Sequence, residues 1–328
     1  MSIDIDRAIN ARRTDIRRKL AIIGVAAAAM CALFLTYDAL DAWAVIGPLR
    51  AKRLGALIVV AIALSTATAV FQTVTRNRIL SPSVMGFDSM YQLTATASVF
   101  FFGSTVIAKV PGPVMFAINT ALMMILAVTL FMAVLGRNRS NVYLLVLVGI
   151  VVGTFLRSIN SLLTTIMDPG EYLAVADAHT ASFAVINTTS LQAAVVLAIL
   201  ALGYIWLRAP EWDILALGPD TARSLGIRYR REVRLALGAS AVLVASATAL
   251  VGPLMFFGLL IVNITVFATD SNRLRDLIVG SSAMGVAVLV GGQAILEHIL
   301  HQATILPVIL ELVGGLLLLT MIVRGARK

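Results

Sequence analysis

Ten apolar stretches, each long enough or nearly long enough to cross a lipid bilayer, constrain this chain more than any other feature. They fall at about 20–37, 54–74, 84–108, 114–135, 142–166, 183–207, 233–251, 254–268, 276–297 and 305–323 of a 328-residue sequence. A hydrocarbon core ~30 Å thick takes ~20 helical residues to span, so ten passes leave little beyond loops and ends. Backbone polar groups in lipid are satisfied only in helices or closed barrels, and stretches that are apolar on nearly every face read as membrane helices. Charged residues make up 13% of the chain, about half the ~25% of a soluble domain. A soluble enzyme, a disordered protein and a disulfide scaffold are therefore excluded. The single cysteine, Cys31, lies inside the first stretch and can form no intramolecular disulfide. The expectation is an all-α polytopic membrane protein, with an N-terminal segment at 1–19 and one transmembrane unit over 20–328.

The basic residues orient it. With ten spans and a cytoplasmic N-terminus, all but five of the 26 Lys and Arg fall in segments on the cytoplasmic side, as the positive-inside bias requires. The five exceptions are Arg50, Lys52, Arg53, Lys109 and Arg157. Both termini are thus expected in the cytoplasm. A single pass over 233–268 would carry Arg273, Arg275 and the basic C-terminal end to the other side. Gly252-Pro253 accordingly marks a break between two helices. The net charge of +9 is then a topological signature and implies no nucleic acid. A basic stretch precedes the first span without a clear small-residue cleavage site after it, so that helix is expected to be retained.

One cytoplasmic loop is long. In R-A-P-E-W-D-I-L-A-L-G-P-D-T-A-R-S-L-G-I-R-Y-R-R-E-V-R (208–234), Pro210 is expected to end the preceding helix and Asp213 to cap a short one closed by Gly218. Pro219 suits the first turn of a second short helix, Asp220 suits its dipole, and Gly226 closes it. The pair, at about 212–228, reads either as a docking element for a moving cytoplasmic partner or as an amphipathic linker at the headgroups.

Here the residues resemble a known family. L-A-L-G-P-D-T-A-R-S-L-G-I (215–227) is similar to the coupling-helix region of FecCD-type permeases, the membrane subunits of ATP-binding-cassette importers for iron–siderophores, haem and vitamin B12. Q-T-V-T-R-N-R-I-L-S-P-S-V-M-G (72–86), V-G-P-L-M-F-F-G-L-L (251–260) and L-P-V-I-L-E-L-V-G-G (306–315) resemble three further family motifs, in order and at matching spacing. Val262-Asn263-Ile264-Thr265 departs from the proline and arginine usual there. S-V-M-G-F-D-S-M-Y (83–91) looks like the second permease of catecholate-siderophore systems, which implies a heterodimer with a homologous permease.

The resemblance implies a BtuC-like fold of ten helices per subunit in a bacterial cytoplasmic membrane. It also implies two permease subunits around a central path, separate ATPase subunits using ATP and Mg, and an extracytoplasmic substrate-binding protein. Leu217, Gly218, Asp220, Ala222, Leu225 and Gly226 would carry the ATPase docking by shape and apolar contact. Asn77 and Ile79 match a cytoplasmic constriction; Asn77 alternatively caps a helix end. Arg50 and Arg53 match a pair that meets acidic residues of a binding protein, guanidinium forks suiting carboxylates; lipid-phosphate anchoring is the alternative. Phe256 and Glu311 are candidates to line the path. Glu311, deep in the last span, could touch substrate, pair with a neighbouring helix or stay protonated. Asp88, near an inner end, is placed for a helix N-terminus.

Glu297, His298 and His301 form a small outer cluster without the further ligands and supporting groups that a metal site needs. No G-x-x-x-x-G-K-[ST] occurs, so the chain is expected to be no enzyme and to bind no cofactor itself. The competing reading is a ten-span secondary transporter of the drug/metabolite type, which needs no coupling loop.

Overall fold

A computed structural model describes residues 2–37, 43–135, 142–176, 180–298 and 306–325. Among the described residues every regular element is a helix. In chain order these are α1 (Ser2–Thr36), α2 (Trp43–Thr75), a 3-10 turn (Pro82–Met85), α3 (Phe87–Phe102), α4 (Ser104–Ile107), α5 (Gly112–Leu135), α6 (Val142–Ile166), α7 (Pro169–Ala176), α8 (Thr188–Leu215), α9 (Pro219–Ser224), α10 (Tyr229–Val251), α11 (Phe257–Thr269), α12 (Leu274–His298) and α13 (Leu306–Gly325). Nine of the ten expected spans each fall on one helix, whereas 84–108 is divided between the end of the 3-10 turn, α3 and α4, with a break at Gly103. Among the described residues seven helices contain a segment long and apolar enough to cross a membrane; the segments within α11 and α13 are shorter.

Helix α2 is the axis of the bundle, packing against α1, α8, α10, α11 and α12. Its sequence explains this. Over Ala61–Val70 small side chains dominate, and Ala61, Ala63, Ser65, Thr66, Ala67, Thr68 and Ala69 are all buried. Small residues let helix backbones approach closely, which is the main source of association where lipid supplies no hydrophobic drive. The neighbouring helices respond with glycine. A β-carbon on Gly258 of α11 would stand 2.1 Å from Thr68 Oγ1, and one on Gly285 of α12 would stand 2.6 Å from Ser65 Oγ.

Region 233–268 is two helices. The chain leaves α10 at Gly252-Pro253, and the Ser182 N–H donates to the Val251 carbonyl at 2.7 Å, seating the segment before α8 on the break. Helix α1 runs unbroken through the basic segment that precedes its apolar part, so residues 2–19 are helical and continuous with the first span.

The contacts sort the loops to two ends of the bundle. At one end Arg12 pairs with Asp270 at 3.3 Å, Arg78 reaches Asn272, and the Leu274 N–H donates to Asp213. At the other, Arg53 pairs with Glu297 at 3.6 Å, and Glu171 accepts the Ser104 N–H at 2.7 Å. Of the basic positions, Arg137, Arg139, Arg327 and Lys328 lie outside the described residues, as does His301 of the outer cluster.

Candidate functional site

The long loop differs from its expected form at its first half. Pro210 does not end a helix; it lies inside α8, which continues to Leu215. Tertiary anchoring outweighs the hydrogen bond that proline forfeits. Trp212 and Leu215 are completely buried, and Trp212 Nε1 donates to the buried Glu232 of α10 at 3.2 Å. Asp213 does not cap a short helix of its own. Its carboxylate accepts the Leu274 N–H at 2.7 Å, at the start of α12, where an anionic acceptor meets an orphan N–H and the positive end of the helix dipole. The pair of short helices is therefore the tail of α8 plus the single turn-and-a-half of α9.

The second half is as expected. Gly218 and Gly226, at φ +107° and +80°, bracket α9 in backbone conformations that side chains rarely adopt. Pro219 opens the helix, and Asp220 stands in its first turn beside Arg223 at 3.3 Å. Ala222 faces inward and is fully buried, while Leu217 and Leu225 are 61% and 58% exposed. The element thus has one buried anchor and two outward apolar side chains flanking a short turn. Arg228, Arg230, Arg231 and Arg234 line a cleft of about 500 Å³ beside it, with Arg223, Ile227 and Tyr229.

The segment after α2 touches this element. A β-carbon on Gly218 would stand 3.1 Å from Arg76 Nη1, and Arg76 holds a left-handed backbone at φ 54°. Asn77 Oδ1 accepts the Ile79 N–H at 2.9 Å, and Ile79 is 37% exposed. The Arg78 carbonyl accepts from two amides, Gln72 Nε2 at 2.9 Å and Asn263 Nδ2 at 3.1 Å. Asn263 was a departure from the family pattern; here it pins the segment to α11.

From there the chain climbs into the bundle. The Gly86 backbone meets Gly153 of α6, where a β-carbon on either would stand 2.9 Å from the other's Cα. Gly153 lies eleven residues into α6, or about 16 Å at 1.5 Å per residue. Asp88, in the first turn of α3, is therefore deeper than an inner end. It is 2% exposed, and among the described residues neither carboxylate oxygen finds a hydrogen-bond partner, although Ser83 is beside it. Glu311 and Arg157 are the other charged groups in electrostatic reach of it. Glu311 is exposed, and the half-buried Phe256 packs on α13, its Cβ 2.6 Å from where a Gly314 β-carbon would be.

At the other end Arg50 and Arg53 lie within α2, and both engage the chain itself. Arg50 Nη1 donates to the carbonyls of Phe34, at 3.2 Å, and Tyr37 at the end of α1. Arg53 donates to the Ala184 carbonyl at 3.1 Å and pairs with Glu297, which also accepts from Gln293.

Sequence reasoning counted Arg157 among the outer-side basic residues and missed that it belongs to a polar stripe within α6. The spans had been read as apolar on nearly every face, yet in α6 the polar residues Thr154, Arg157, Ser158, Ser161 and Thr165 recur at helical spacing and all are exposed.

Comparison with known proteins accounts for the architecture. The model of the FecCD transport family matches residues 16–324. A petrobactin import system permease protein (YclO) of Bacillus subtilis is 37% identical over 91% of this chain and 94% of its own length. A second petrobactin permease (FatC), of Bacillus anthracis, is 29% identical over 82% and 76%. The ferric enterobactin permease protein FepG of Escherichia coli is 25% identical over 85% and 82%. Among solved structures, an inward-facing metal-chelate type ABC transporter superposes with a TM-score of 0.79 at 20% identity, covering 94% of this chain and 99% of that one. A helical bundle built on α2, with two glycines bracketing a six-residue helix at one end, is in this chain the form of a member of the FecCD transport family.

Proposed function

We propose that the chain is the membrane permease subunit of an ATP-binding-cassette importer that moves an iron–siderophore complex into the cytoplasm by alternating access. The observation that carries this reading is the family match over residues 16–324 together with relatives named as siderophore permeases over most of their length. The secondary-transporter reading has no comparable support. The end bearing Arg12, Arg76, Arg78 and α9 faces the cytoplasm, in keeping with the positive-inside bias, and both termini lie there.

On this reading a separate ATPase, using ATP and Mg, docks on the element around α9. Leu217 and Leu225 insert into it, Gly218, Asp220 and Gly226 shape the turn, and Ala222 seats the element on the permease. Asn77 and Ile79 narrow the inner mouth, with the Asn77 side chain also holding the local turn. Phe256 and Glu311 border the path. Arg50 and Arg53 frame the outer end, where the substrate-binding protein docks. The second permease is a homologous chain rather than a second copy, since the M-G-F-D form resembles one half of a paired system. The unit is a single transmembrane domain over 20–328.

Affinity purification from native membranes tests the assignment. An ATPase and a second permease are expected to co-purify; a chain that purifies with no ATPase contradicts it.

A further inference from the structure

The exposed surface of the outer half of α6 is divided between two kinds of side chain. Val151, Phe155, Leu162 and Ile166, each about 60% exposed, form one sector. Thr154, Arg157, Ser158, Ser161 and Thr165, also exposed, form the other. Offsets of 0, 3, 4, 7 and 11 place these five on one helix face.

The hydroxyls alone decide nothing. Thr154, Ser158 and Thr165 donate to carbonyls one turn back, at 2.9, 3.1 and 2.7 Å, so they can sit in lipid without an unmade donor bond. Arg157 cannot. Among the described residues its one direct hydrogen bond is to Thr154 Oγ1, at 3.4 Å, and it forms no ion pair. It lies fifteen residues into a 25-residue helix, about 22 Å along at 1.5 Å per residue, and more than two turns from the outer end. A guanidinium without a direct ion pair at that depth in lipid is costly. The apolar sector suits lipid; the polar sector needs water or a partner with negative charge.

Because the hydroxyl protons of Thr154, Ser158 and Thr165 are turned to the backbone, the stripe offers acceptor oxygens around one strong donor. Its charge complement is an anion. We propose that this face of α6 lines the water-filled substrate path and that Arg157 binds the negatively charged donor oxygens of the iron chelate, carboxylate or catecholate, in transit. This rests on the permease reading above and adds to it the charge class of the substrate and the residue that recognises it.

Cysteine accessibility in the assembled transporter tests this, and the chain's single cysteine makes the background simple. In a Cys31→Ser protein, Ser158→Cys and Ser161→Cys are expected to react with a membrane-impermeant sulfonate thiol reagent at least tenfold faster than Phe155→Cys and Leu162→Cys. A ferric tricatecholate delivered by the system's own binding protein is expected to slow that reaction. Arg157→Gln, in complexes that still carry their ATPase, is expected to lower uptake of the same chelate at least tenfold, with Arg157→Lys restoring most of it. Equal labelling of the two sectors, no labelling of the polar one, or wild-type uptake by Arg157→Gln overturns the inference while leaving the permease reading intact. Absence of ATP-driven chelate uptake by the wild-type complex overturns that reading, and this inference with it.

Discussion

Arg76 lies against Gly218: a β-carbon on that glycine would stand 3.1 Å from the guanidinium Nη1. The contact joins the segment leaving α2 to the turn that opens α9. A displacement of α9 therefore meets the same segment whose next residues, Asn77 to Ile79, sit at the inner mouth in the proposed mechanism. The α8 tail is tied in as well, through Trp212 to α10 and through Asp213 to α12. The element is positioned to pass movement to three spans at once.

Gly218→Val puts a branched side chain into that contact and into a left-handed backbone. Backbone strain of this kind costs about 1–3 kcal/mol. The variant is expected to insert in the membrane, to melt at lower temperature in detergent, and to lose most ATP-driven uptake. Arg76→Ala, an exposed truncation expected to change stability by less than ~0.5 kcal/mol, should lower uptake without lowering the melting temperature. Equal uptake by Arg76→Ala and wild type would remove the contact from the coupling route.

Gly226→Trp tests the docking surface from the other side. No described atom lies within 4 Å of the position a β-carbon would take there, so an indole has room, and the strain of a side chain at φ +80° is local to the turn. The protein is expected to remain inserted, and uptake to be abolished because the ATPase no longer seats. Normal transport by this variant would refute the docking role of α9.

Much of this was legible in the sequence for a physical reason: long apolar runs, charge bias and Gly-Pro breaks are local signals. They placed the ten helices, the division at Gly252-Pro253 and the two glycines around α9. What was not legible depends on partners distant in sequence. Pro210 reads as a helix stop until Trp212 is seen buried against Glu232 from α10. Asp213 reads as a local cap until Leu274 arrives beside it. Arg50 and Arg53 read as a docking pair or a lipid anchor, and their bonds to the end of α1, to Ala184 and to Glu297 could not be read from the sequence. The stripe containing Arg157 was visible in principle, since its spacing is helical, but a window average over an apolar span hides it.

Glu232→Leu removes the acceptor for the Trp212 indole N–H in a buried setting. Leaving that donor unmet costs about 1–3 kcal/mol, read as a lower thermal midpoint of the purified complex. Glu232→Gln keeps an acceptor oxygen and is expected to fall between the two. A Glu232→Leu protein as stable as wild type would show that the bond contributes nothing to the anchoring of α8.

Gly258→Ala is expected to destabilise the bundle more than substitutions at lipid-facing sites. Its methyl would stand 2.1 Å from Thr68 Oγ1 and 2.8 Å from the Leu64 carbonyl oxygen, and overpacking of this kind costs typically ~1–3 kcal/mol. Thr68→Ala in the same chain relieves the first clash but not the second, so rescue should be partial. The thermal midpoints of the two single variants and the double variant measure this, and additive losses would contradict the close packing of α2 on α11.

The most direct test of the central claim is uptake into proteoliposomes holding the purified complex. With ATP and Mg inside and binding protein loaded with labelled ferric siderophore outside, iron is expected to accumulate, and to stop accumulating without ATP or without the binding protein. Accumulation driven by an ion gradient with no nucleotide present would contradict the account.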